Sequence, residues 1–137
     1  MDLLRAQESI KKEFDSMGIT LKYDLTEKRL NAKGYLNKDG LGDFLFTVAV
    51  YPGKKNTASC SMYFNELKPS PRVNQLLNEF NKNAYLLYAC EDGFLILEHT
   101  GCRIKEEEIG AYVLDILEEL NDDEVFSLLK PLIDETV

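Results

Sequence analysis

Histidine occurs once in these 137 residues, and that scarcity excludes a good deal of chemistry. An imidazole base, a nucleophilic triad or a zinc site would each have to use His99. No second histidine completes a zinc site, and Cys60, Cys90 and Cys102 lack ligand spacing. The cysteines are an odd set without a C-x-x-C pair, and each falls in an apolar strand pattern. They read as free, buried thiols of a reducing compartment. Long apolar runs are also missing. The first 17 residues mix Leu3, Leu4 and Ile10 with Arg5, Glu8, Lys11, Lys12 and Glu13. Neither an export signal nor a membrane span is expected, and the expected location is the cytoplasm.

Basic residues are scarce at the C-terminal end. Residues 105–137 carry eleven acids against two bases, a net of −9, while residues 1–104 carry a net of +1. The total of −8 therefore resides in the last quarter of the chain. Nucleic acid, whose phosphates require a basic surface, is not an expected partner.

Several familiar motifs fail on inspection. Around Gly40 a calcium loop would need oxygen donors at Tyr35 and Phe46. The pair Gly40 and Gly42 lacks the third glycine and the following helix of a phosphate-binding loop. Acids cluster only as Glu106-Glu107-Glu108 and Asp122-Asp123-Glu124, at expected helix starts, where capping accounts for them. No catalytic, cofactor-binding or metal-binding residue is assigned from the sequence.

What is present is strong patterning. At this length one domain, residues 1–137, is expected, and folding hides roughly two-thirds of the unfolded surface. Leu3, Ala6, Ile10, Phe14 and Met17 fall on one helical face, with Gly18 as the stop. Period-two alternation marks strands in 19–25, 30–36, 43–51 and 57–64. In the third, Phe44, Phe46, Val48 and Val50 oppose Leu45, Thr47 and Ala49; in the fourth, Ala58, Cys60, Met62 and Phe64 point inward. Ser70 and Pro71 announce a second helix, carrying Val73, Leu76, Leu77 and Phe80.

Asp92-Gly93 then predicts a tight hairpin. It pairs Glu91 with Phe94, Cys90 with Leu95, Tyr88 with Leu97 and Leu86 with His99. That register keeps Cys90 and Cys102 too far apart for a disulfide. It also makes His99 a half-buried structural residue near a strand end. Two helical runs follow: Ile109 to Leu120, then Val125 to Ile133 after a break and re-cap at Asn121 and Asp122. Pro131 should bend or end the last. The fold class is α+β: an antiparallel sheet of five or six strands with helices mainly on one face. Its order is helix, three or four strands, helix, two strands, helices.

This order, with the hairpin from Tyr85 to Glu98 and the amphipathic stretch from Glu106 to Leu120 after it, resembles the type III secretion chaperone-like fold. Within that fold it is most similar to the YbjN-type bacterial proteins. The chain differs from them in its long, split C-terminal helical region. The resemblance implies a homodimer without enzymatic activity that binds another protein as chaperone or regulator, with no cofactor and no catalytic residues. The expected function is thus a non-enzymatic protein-binding module. A phage or mobile-element assembly protein is the alternative, and a hydrolase built on His99 and Cys102 is a third class.

The residues themselves point to association. The hairpin is apolar on both faces: Tyr85, Leu87, Phe94 and Ile96 line one, while Leu86, Tyr88, Leu95 and Leu97 line the other. Helices on one side cover only one set. Unless the C-terminal helices wrap round, Tyr85, Leu87, Phe94 and Ile96 form an interface, and a homodimer is expected.

Overall fold

A computed structural model describes residues 1–83, 87–91 and 93–136. Within them the chain runs α1 (Leu3–Ser16), β1 (Lys22–Leu25), β2 (Leu30–Lys38), β3 (Gly42–Tyr51) and β4 (Thr57–Glu66). It continues with α2 (Pro71–Asn83), β5 (Leu87–Glu91), β6 (Phe94–Gly101), α3 (Ile109–Glu118) and α4 (Asp123–Asp134). The described strands form one sheet in the order β1-β2-β3-β4-β6-β5, and every neighbouring pair is antiparallel. The fold is α+β, in the expected order of elements.

Period two decides which strand residues meet the helices. Leu30, Ala32, Phe44, Phe46, Val48, Val50, Ala58, Cys60, Met62, Phe64, Leu95 and Leu97 join the apolar faces of the four helices in one buried cluster. Ring pairs lock it. Phe14 of α1 lies 5.8 Å from Phe46 of β3, and Phe44 lies 5.3 Å from its neighbour Phe64 on β4. Burying each such ring stabilises the fold by roughly 2–3 kcal/mol. The alternate strand residues take no part in this cluster, so all four helices lie on one face of the sheet.

Caps set the helix starts. Asp2 accepts from the Leu4 and Arg5 N–H groups, Ser70 Oγ from the Val73 N–H, and Asp122 from Glu124 and Val125. The start of α3 is capped from outside. Ser9 Oγ, on α1, accepts the Gly110 N–H at 2.9 Å and donates to the Glu107 carbonyl at 3.0 Å. Gly110 is essential to this crossing, because a Cβ there would stand 2.1 Å from the Ser9 carbonyl oxygen.

Several expectations need correction. Glu106–Glu108 form a 3-10 turn and cap nothing; Glu107 instead meets Arg5 of α1 at 2.7 Å. Met17 leaves the buried face of α1 and is 55% exposed, since it is the C-cap residue, where the helical period no longer applies. Pro131 does not end α4, which runs on to Asp134; only one amide donor is lost to the ring. Cys102 lies past the end of β6 and is exposed, while Cys60 is buried; both are free thiols. Among the described residues no helix is long and apolar enough to cross a membrane.

Candidate interaction surface

The face of the sheet turned away from the helices is organised in rows, because the strand registers fall in line. Tyr35 of β2 pairs with Leu45 of β3, Leu45 with Tyr63 of β4, Tyr63 with Ile96 of β6, and Ile96 with Ala89 of β5. One continuous apolar row therefore crosses the sheet. Phe94 stands two residues from Ile96 on β6, beside a register shift between Tyr63 and Glu66. Tyr35 is 82% exposed and Phe94 40%. With Leu45, Tyr63, Asp43 and Asn65 they border a shallow depression of about 470 Å³.

The next row is polar. Lys22, Lys33, Thr47, Ser61 and Glu98 stand in register across β1, β2, β3, β4 and β6. Beyond it come Asp24, Asn31, Ala49, Ser59 and Thr100, with Thr100 Oγ1 donating to Ser59 Oγ at 3.1 Å. The face thus has an apolar band, open to solvent at Tyr35, half-buried at Leu45 and Tyr63 and closed at Ile96, bordered by a band with a basic end on β1 and β2 and an acid on β6.

Of the four interface residues expected from sequence, Phe94 and Ile96 lie on this face. Phe94 is open to solvent, while Ile96, only 4% exposed, is already enclosed by its neighbours. The register places Leu87 opposite Glu98; Tyr85 lies outside the described residues, as does the expected Leu86–His99 pairing. The other three expected hairpin pairs stand as Glu91 with Phe94, Cys90 with Leu95 and Tyr88 with Leu97. Sequence reasoning missed Tyr35, Leu45 and Tyr63. Their signal was the alternation in β2, β3 and β4, which set each opposite the buried residues.

His99 lies on the helix side, in register with Cys60. Its Nδ1 is 2.5 Å from Tyr112 Oη of α3. Burial pushes the Cys60 thiol up to about 12, which keeps it protonated and poorly nucleophilic at neutral pH. Burial likewise pushes the Tyr112 phenol up to about 12, with the neighbouring Cys60 and Cys102 adding to the effect. The arrangement ties α3 to β6. Among the described residues no three His, Cys, Asp or Glu side chains converge as metal ligands. A groove of about 440 Å³ runs between the end of α1, β2 and α3; Lys38, on its wall, is held by Asn121 Oδ1 at 2.5 Å.

Compared with known proteins, the chain matches no family model and no curated protein.

Proposed function

We propose that this chain is a non-enzymatic protein-binding module, chaperone-like or regulatory in role, that acts through the helix-free face of its sheet. The observation that carries this reading is the apolar row Tyr35–Leu45–Tyr63–Ile96, aligned across four strands with its first ring almost fully in solvent. Exposed apolar rings such as Tyr35 and Phe94 are costly in water, and on soluble domains such surface marks sites of protein contact. Tyrosine and phenylalanine suit such contact, since they bury large areas while losing few rotamers.

Affinity capture from cells with graded variants tests the reading. Tyr35→Glu with Phe94→Glu places two carboxylates on the band. Leu4→Glu, at an exposed position of α1, is the control on the helical side. A protein retained by the wild type and by Leu4→Glu but released by the double variant is the expected result. Equal retention by all three would remove this face from the function.

A further inference from the structure

Beyond the open face, we infer that the groove between the end of α1, β2 and α3 is a binding site for an aliphatic carboxylate. The ligand is a small molecule with one anionic head and one unbranched apolar tail. The groove arises from unequal element lengths. β1 pairs with β2 only as far as Lys33, whereas β2 continues to Lys38 with β3 beside it. α1 stops at Ser16, and the chain turns at Gly18, whose φ is +72°. The space left over the end of β2 is the groove. Its volume of about 440 Å³ lies within the range of roughly 300–1,000 Å³ typical of small-ligand pockets.

Its floor is apolar because core-facing positions converge there. Leu36 and Phe44 are cross-strand partners on the helix side of the sheet. Leu114 and Leu117 lie one turn apart on α3, Leu120 sits in the turn that follows, and Ile19 comes just after the glycine. Ile19, Leu36, Leu114 and Leu117 pack against the core and are only partly buried, so each keeps apolar surface for an occupant. Met17, an exposed residue, stands on the rim, and its flexible thioether adapts to a tail of variable shape. A peptide would bring a polar amide with every residue, and this floor offers amides no partner.

One cation specifies the head group. Lys38 Nζ, at the C-terminal end of β2, donates to Asn121 Oδ1 at 2.5 Å and stands 5.5 Å from the centre of the Phe126 ring. Both partners are neutral, and Lys38 takes part in none of the four ion pairs found among the described residues. An ammonium has three donors, and the Asn121 bond spends one. A carboxylate on the others makes a charge-assisted hydrogen bond while its tail lies along the leucines. Glu118, the other charged residue of the lining, is exposed. It opposes a second negative charge, so the groove favours a singly charged carboxylate over a phosphate.

Methyl-resolved NMR titration of the full chain tests the inference, with decanoate as the probe and decanol and decylamine as probes of the same tail. Decanoate should shift the methyl signals of Met17, Leu114 and Leu117 in a saturable way. It should leave Leu4 and Leu25, exposed elsewhere, unmoved. It should bind at least about tenfold more tightly than decanol or decylamine, and about tenfold more tightly than octanoate, which lacks two methylenes. Lys38→Met should bring decanoate down to the affinity of decanol, while Lys38→Arg should stay within about threefold of wild type. Glu118→Gln should bind decanoate at least as tightly as wild type. No saturable shift up to about 1 mM overturns the site, and shifts that include Leu4 and Leu25 equally reduce it to unspecific partitioning. Decanol binding as well as decanoate overturns the anionic head. A Lys38→Met variant at wild-type affinity overturns the role of Lys38. Circular dichroism confirms folding of each variant, and the comparison of head groups is made on the wild type alone.

Discussion

Replacing Gly110 by alanine should destabilise the protein although alanine is the better helix former. The added Cβ would stand 2.1 Å from the Ser9 carbonyl oxygen and 2.5 Å from its carbon. Both are backbone atoms, so no side-chain rotation relieves the clash, and α1 and α3 must part. Parting weakens the Gly110 N–H to Ser9 Oγ bond and the Ser9 Oγ–H to Glu107 bond that together cap α3. Overpacking costs about 1–3 kcal/mol and each hydrogen bond contributes about 1 kcal/mol, against about 1 kcal/mol gained from helix propensity. The net expectation is a loss of roughly 2–3 kcal/mol, or a melting temperature lower by about 6–12 °C for a chain of this length. Urea unfolding followed by circular dichroism measures it directly. Gly18→Ala is the comparison: its φ is +72° but nothing lies within 4 Å of the new methyl, so only the left-handed strain of about 1 kcal/mol applies. A Gly110→Ala variant as stable as the wild type would refute the close crossing of α1 and α3.

Other outcomes follow from single groups. Asp122→Ala removes the acceptor for two α4 amides and should cost about 1 kcal/mol in urea unfolding. Cys60 and Tyr112 both have folded-state values raised to about 12. The folded state therefore holds protons that the unfolded chain has released, and stability present below pH 9 should fall as pH rises from 9 towards 12. The combined variant Cys60→Ala and Tyr112→Phe should flatten that decline, and an unchanged pH profile would show that the two groups are not buried as described. In thiol labelling mapped by mass spectrometry, Cys102 should react at once and Cys60 only on unfolding, as their exposures differ; equal rates would contradict the burial of Cys60.

Much of the fold was readable because local chemistry and global pattern agree. The alternation of Phe44 to Val50 and of Ala58 to Phe64 is long enough to fix both strands and their inward faces. The register expected from the Asp92-Gly93 signal holds from Glu91–Phe94 to Tyr88–Leu97, because a connection that short leaves little slack. Ser70 and Asp122 cap where short polar side chains before an apolar run should. Glu106-Glu107-Glu108 do lead directly into α3, as their position at a helix start implied, but their side chains do not cap it; the cap comes from Ser9, about a hundred residues away in sequence. No local pattern reports such a contact, or marks Gly110 as the point where two backbones meet. The candidate surface was half legible for the same reason. Phe94 and Ile96 belong to the hairpin whose register was plain. Tyr35, Leu45 and Tyr63 join them only when three registers are combined, and the pairing of β4 with β6 spans α2 and β5.

Photo-crosslinking from the open face tests the central claim most directly. Benzoyl-phenylalanine replaces Tyr35 in one version of the chain and Leu4 in another, both exposed positions but on opposite sides of the molecule. On irradiation in cells, the account predicts protein adducts from position 35 and none from position 4. Adducts from position 4 alone, or equal adducts from both, would contradict it.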